Sequence, residues 1–322
     1  MRKLVFAAVV GLLALPLFAQ EHVSRFELSQ DFVKHWSDEP LRDATVKVLG
    51  AGPVHPAATD CEIHVGAEFS DSAFTDFPGV VVEPPNLCHF TGNWRKNIDA
   101  AADGEECVAR GFMRAWPEHL TNGKPPSNPP HVLEMHPATE LHCGSKSFDF
   151  LPKLKAFADL GFKTPDTVNK MMDMNVWVCR GCGSSNDPSM LSFDYCFGDP
   201  CKAGQASNFA RMKATIIRST IRPESGKELD GVATAIARIR PKGATPNGRL
   251  RPLKLYAVKG TKFYDDLIAE RDKSGADPSF EIIGIFTLDP FSIKRTYEGK
   301  KFEDETWTPV MHPVSLIVFG SL

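Results

Sequence analysis

The sequence predicts a mainly β fold with inserted helices, arranged as two small barrels or sandwiches in tandem with a helical, cysteine-rich segment between them. Three observations predict it. Short segments of alternating apolar and polar residues recur between Pro, Gly and Asn clusters, which is how strands and turns read in a sequence. The chain holds 25 prolines, which suits loop-rich β structure better than a helical bundle. The triplet Met-His-Pro occurs at 135–137 and again at 311–313, each time with an apolar strand-like segment after it.

Along the chain, MRKLVFAAVVGLLALPLFAQ opens with Arg2 and Lys3 before an apolar stretch from Leu4 to Ala19. This is the pattern of a secretory signal peptide, residues 1–19, cut after Ala19. The stretch falls short of the ~20 residues a bilayer-spanning helix needs, and Pro16 favours processing over anchoring. No later stretch is apolar enough to span, so no membrane span is expected after cleavage. Residues 20–41 form an N-terminal segment in which QDFVKHWSD reads as one short helix.

From 42 to 142 the chain turns to β: DATVKVLGAG, CEIHVGAEF, GVVVEPP, ECVARGFMRAW and HVLEMHPATEL make a first domain. Residues 143–209 read as a helical and Cys-rich linker. FLPKLKAFADLGF has helical spacing, TPDTVNKMMDM carries Thr164 as a cap and Pro165 in its first turn, and VWVCRGC and MLSFDYCF are two cysteine-bearing strands. Residues 210–322 return to β with ARMKATIIRSTIR, GVATAIARIRP, RPLKLYAVKG, a helix from about Lys262 to Arg271, the strand-like run SFEIIGIFTLDPFSIKR, and PVMHPVSLIVFG. RGFMRAWPEHL before the first Met-His-Pro matches IGIFTLDPFSI before the second, and VVVEPP matches LKLYAVKG. A match of several elements in order reads as an internal duplication.

Charge limits the partners. The leader removes two of the 37 basic residues and none of the 40 acidic ones, leaving a formal charge of minus 5. That balance argues against nucleic acid, whose binding rests on Lys and Arg neutralising phosphates. The eight cysteines, an even number in an exported chain, read as disulfides: Cys61, Cys88, Cys107 and Cys143 in the first half, Cys179, Cys182, Cys196 and Cys201 in the second group. The second group has zinc-ribbon spacing, but thiols in an oxidising compartment pair before they hold zinc, and no thioredoxin-like context supports a redox role for Cys179 and Cys182.

Chemistry concentrates in the first domain. On a strand, Asp60, Glu62 and His64 share one face and Cys61, Ile63 and Val65 the other. Glu134 and His136 likewise lie opposite Leu133 and Met135. With Glu83 or His119 nearby, these groups supply the oxygen and nitrogen ligands of a divalent metal such as zinc. The competing reading is a set of hydrogen-bonded Glu–His pairs that fix strand register, with no cofactor. It takes precedence, because no H-E-x-x-H or comparably specific spacing is present, nor any G-x-S-x-G elbow, phosphate-binding glycine loop or S-x-x-K set. Trp94, Trp116, Trp177 and Phe90 read as core before they read as the lining of a ligand groove.

The succession of a V-x-V strand, a D-x-E-x-H strand, a V-x-E-P strand, a G-F strand and an E-x-H-P strand resembles uncharacterised secreted bacterial domains with an OB-like five-stranded barrel. Its carriers are Asp60, Glu62, His64, Glu83, Gly111, Phe112, Glu134, His136 and Pro137, across residues 42–142. The resemblance implies the OB-like fold, taken here for both domains, and no activity. The second domain keeps His312 and Pro313 but has Val310 where the first has Glu134. The expectation is a secreted or periplasmic binding or structural module for an unknown small-molecule, glycan or protein ligand. The alternative is a metal-dependent hydrolase with its site on the first domain.

Overall fold

The computed structural model describes residues 22–23, 25–56, 61–70, 79–103, 105–117, 132–155, 165–183, 187–204, 206–223, 231–239 and 251–321. Residues 1–19, Asp60 and His119 lie outside them.

The protein is mainly β, in three sheets. The first has six strands in the order β4-β3-β2-β5-β6-β7: β2 (Leu41–Val54), β3 (Ile63–Phe69), β4 (Gly79–Val82), β5 (Glu106–Ala115), β6 (Leu133–Cys143) and β7 (Lys146–Asp149). Here β4 also pairs in parallel with β6, Val81 opposite Glu134. The second is a closed barrel in the order β10-β11-β12-β15-β13. It is built from β10 (Phe209–Ile216), β11 (Val232–Ile239), β12 (Arg251–Val258), β13 (Ser279–Leu288) and β15 (Val314–Ser321). Its one parallel step is β12 with β15.

The third sheet changes the reading of residues 143–209 as a linker. β8 (Met174–Arg180) and β9 (Met190–Phe197) do form the two cysteine-bearing strands, but they are the centre of a four-stranded sheet. Its edges are β1 (Phe26–Ser29) on β9 and β14 (Thr308–Pro309) on β8. The helical part is α3 (Leu151–Lys155) and α4 (Pro165–Met172), the latter starting at its proline.

Local chemistry sets the helices. α1 (Gln30–Asp38) spans QDFVKHWSD and is capped by the Ser29 hydroxyl, which accepts from the Phe32 amide. α5 (Lys262–Arg271) is capped in the same way by Thr261. Two helices were not expected. α2 (Trp94–Ala102) is capped by the Asn93 side chain, which accepts from the Lys96 amide, and α6 (Pro290–Tyr297) interrupts the strand-like run SFEIIGIFTLDPFSIKR. Asp289 caps α6 and Pro290 occupies its first turn, an arrangement that ends a strand and starts a helix.

All eight cysteines are paired: Cys61–Cys88, Cys107–Cys143, Cys179–Cys182 and Cys196–Cys201. Among the described residues no helix is long and apolar enough to cross a membrane. The two Met-His-Pro triplets correct the expected match. The first lies inside β6, with His136 buried, whereas the second precedes β15, where His312 is exposed in a left-handed conformation, φ 55°. In strand register Glu134 faces Arg114 and Val81, whereas His312 stands before the paired part of β15.

Candidate functional site

The two faces of β6 separate its residues as alternation requires: Met135 packs in the core, while Glu134 and His136 point the other way. That second face is also covered. Glu134 and His136 are 1% and 0% exposed, because the closed barrel packs over them, with the Phe209 ring edge-on to His136 at 5.8 Å.

The neighbours are placed by backbone bonds. The Glu83 amide donates to the Met135 carbonyl, and the Glu83 carbonyl accepts from Ala138, so Glu83 extends β4 directly across from His136. Pro137 has no amide to offer, which is why the second bond skips to Ala138. Glu62 is held just before β3 by its carbonyl, which accepts from the His55 amide. The Cys61–Cys88 disulfide, Cα–Cα 5.0 Å, then ties the segment before β3 to the one after β4. Gly111 lets β5 approach: a Cβ there would meet Ala138 Cα, Met135 Cβ and the Pro137 carbonyl at 3.1 Å each, beside the register shift between the two strands.

These placements converge three of the predicted residues, Glu62, Glu83 and Glu134, on His136. Its Nδ1 lies 2.8 Å from Glu83 Oε2 and 3.5 Å from Glu134 Oε2, and its Nε2 lies 3.2 Å from Glu62 Oε1. The nitrogens stand at ion-pair distance from all three carboxylates. His64 closes the outer end, its Nε2 3.6 Å from Glu83 Oε1 and 3.8 Å from Glu62 Oε2. It is 25% exposed, with the His55 ring edge-on at 4.5 Å.

One member was missed. Arg114 on β5, fully buried, pairs through Nη1 with Glu134 Oε2, and its Nε donates to the Phe286 carbonyl of β13 at 2.6 Å. The signal was there: a lone cation in the apolar run GFMRAW has to be paired if that strand is buried. Of the aromatics, Trp116 is core, stacked on Phe286 at 5.9 Å, whereas Phe90, Trp94 and Trp177 are half-buried.

Charge counting explains the titration. Burial works to raise Glu134, but Arg114 and then His136 outweigh it and hold the carboxyl down to about 2. Burial also opposes ionisation of Glu62, and His136 with His64 overcomes it, so Glu62 is lowered. His136 is held well above the usual imidazole range: burial disfavours its charge, and Glu62, Glu134 and Glu83 outweigh burial. Arg114, His136, Glu62 and Glu134 then sum to zero. Burial first and the Glu134 charge second push Glu83 up to about 7, since its ionisation would leave a net negative charge out of water.

A pH dependence follows. A carboxyl with a raised folded pKa favours the folded state below its unfolded value, and that contribution is lost as pH rises through the folded one. Glu83 should therefore withdraw stability between about pH 4.5 and about 7, on the order of 1–3 kcal/mol. Glu134 acts oppositely, its contribution being lost as pH falls from about 4.5 toward about 2. In urea unfolding across pH 4 to 8, Glu83→Gln should flatten the decline; equal slopes in wild type and variant would refute the assignment.

Among the described residues three groups bring one ligand atom per residue within 4.8 Å of one another: Glu62–His64–Glu83, Glu83–Glu134–His136, and Cys61–Cys88–His89, whose two sulfurs are tied in a disulfide. No family, curated protein or solved structure matches this chain.

Proposed function

We propose that the chain is a secreted binding module of two OB-like barrels in tandem, and that the acid–imidazole cluster locks the barrels together and does no catalysis. The observation that carries this is access. Glu62, Glu83, Glu134, His136 and Arg114 are all 2% exposed or less, and Arg114 bonds to the main chain of the facing barrel. A hydrolase has to bring a substrate bond to such groups, and here only His64 reaches solvent. The paired cysteines and the charged, apolar leader support export.

The tandem reading is supported by pairing order. The ring β2-β3-β4-β6-β5, with its single parallel step, has the same order as β10-β11-β12-β15-β13. A helix follows the third strand of each, α2 in one and α5 in the other. A glycine at a register shift, Gly111 or Gly284, recurs on the fourth. In this alignment Ser315, Thr287 and Tyr256 stand where the first barrel has Glu134, Arg114 and Glu83, which fits a duplication whose second copy lost its acids.

One observation favours a second reading, a metal-dependent hydrolase. Ligands at ~2.0–2.2 Å from a tetrahedral zinc are separated by about 3.3–3.6 Å. The 3.6 and 3.8 Å gaps from His64 Nε2 to Glu83 and Glu62 are close to that spacing. Elemental analysis of native wild type, His64→Ala and His136→Gln, with unfolding of each, separates the two. The lock predicts metal-free protein, His136→Gln destabilised by about 1–3 kcal/mol and His64→Ala little changed. One ion per chain, abolished in His64→Ala, together with chelator-sensitive hydrolysis, would overturn the lock in favour of the enzyme.

A further inference from the structure

We propose that the recess between β12, β15 and α6 on the closed barrel binds a small organic monocarboxylate. This names a ligand class for the binding module and rests on that reading, but not on the lock. The recess has a volume of about 400 Å³, within the size range of small-molecule sites. Its apolar walls are Ile236, Pro252 and Val314, and its polar groups are Lys254, Asp289, Ser292, Arg295 and His312.

Asp289 is a fixture of the floor, with both carboxylate oxygens engaged within the protein. One oxygen caps α6 by accepting from the Ser292 amide at 2.8 Å, and the other accepts from the Tyr256 and Ser315 hydroxyls at 2.7 and 2.6 Å. Lys254 Nζ stands 3.2 Å from that second oxygen, over the Phe291 ring at 4.0 Å and the Tyr256 ring at 4.8 Å. The two charges offset each other, and the rings fix the ammonium in position.

Arg295 is what remains. It lies in the last turn of α6, lines the recess, and has no carboxylate within ion-pair distance among the described residues. A helix C-terminus alone would favour a cation there. A cation that also lines a concave, partly apolar recess beside a neutralised Lys–Asp pair leaves one net positive charge for a guest. One charge matches a monoanion, and the hydrocarbon wall matches an organic body better than a fully hydrated inorganic ion. Arg295 supplies a planar fork suited to a carboxylate. His312 stands in the left-handed region, φ 55°, on the same recess, a conformation that non-glycine residues adopt rarely and that clusters at ligand sites.

The test is calorimetric titration of the full chain with benzoate, with benzamide as its neutral counterpart and with inorganic phosphate. Benzoate should bind saturably at one per chain, benzamide should give no saturable heat, and phosphate should bind more weakly than benzoate. Arg295→Gln, on an exposed helix turn, should keep the wild-type thermal midpoint and weaken benzoate about tenfold, the loss of one charge-assisted contact. Absence of saturable benzoate binding, equal binding of benzamide, or an unchanged Arg295→Gln would overturn the proposal, and tighter binding of phosphate would overturn the carboxylate assignment. Metal content and the His136→Gln midpoint report on the lock, whereas benzoate heat reports on this recess, so each reading can fail alone.

Discussion

Replacing Arg114 by methionine is expected to cost about 3–5 kcal/mol, because it leaves the Glu134 carboxylate buried with one cation in place of two. Arg114 and Glu134 are 0% and 1% exposed, so solvent cannot take over the charge. The bond from Arg114 Nε to the Phe286 carbonyl is lost as well, and with it a tie between the first sheet and the closed barrel. Methionine keeps most of the volume, so the loss is electrostatic and not a cavity. The double variant Arg114→Met with Glu134→Gln should recover part of it, since the charge count again closes. Urea unfolding of the two variants measures both effects; a single-variant cost under ~1 kcal/mol would show that the cluster does not hold the sheets together.

Gly284→Ala should be at least as damaging. A Cβ at Gly284 would lie 2.3 Å from the Ile317 carbonyl oxygen and 3.1 Å from its carbon, and both are backbone atoms of β15 that cannot swing away. The closed barrel must open at the β13–β15 seam to admit the methyl. A loss of about 3 kcal/mol or more is expected, at or above the usual range for overpacking. Gly111→Ala meets its neighbours at 3.1 Å and should cost less. If the two substitutions proved equal in an unfolding experiment, the close approach at Gly284 would not be what constrains the seam.

Much of this was legible because it is local. α1 and α5 are read close to their observed bounds from local pattern, and an even cysteine count reads as disulfides without saying which cysteine joins which. Alternation puts Glu62 with His64 and Glu134 with His136 on shared faces, but that Glu83 stands beside them depends on the pairing of β4 with β6, which no local pattern states. What was not legible depends on distant partners. Arg114 earns its role from Phe286, 172 residues away, and the burial of the polar face comes from a barrel that alternation in β6 says nothing about. α6 was hidden because an apolar run carries straight into the Asp-Pro pair that ends it. β1 and β14 are strands only because β8 and β9 offer them edges.

That third sheet bears on any attempt to divide the chain. Its edge strands come from opposite ends of the sequence, β1 on β9 and β14 on β8, and the hairpin between them sits in the stretch where a sequence-based boundary would be drawn. A cut on either side of the hairpin strips one of its borders and leaves a row of unpaired amides and carbonyls as a template for another chain. The two halves are thus not separable modules on a string: the sheet works as a clasp, and an excised half would carry a sticky, incomplete edge.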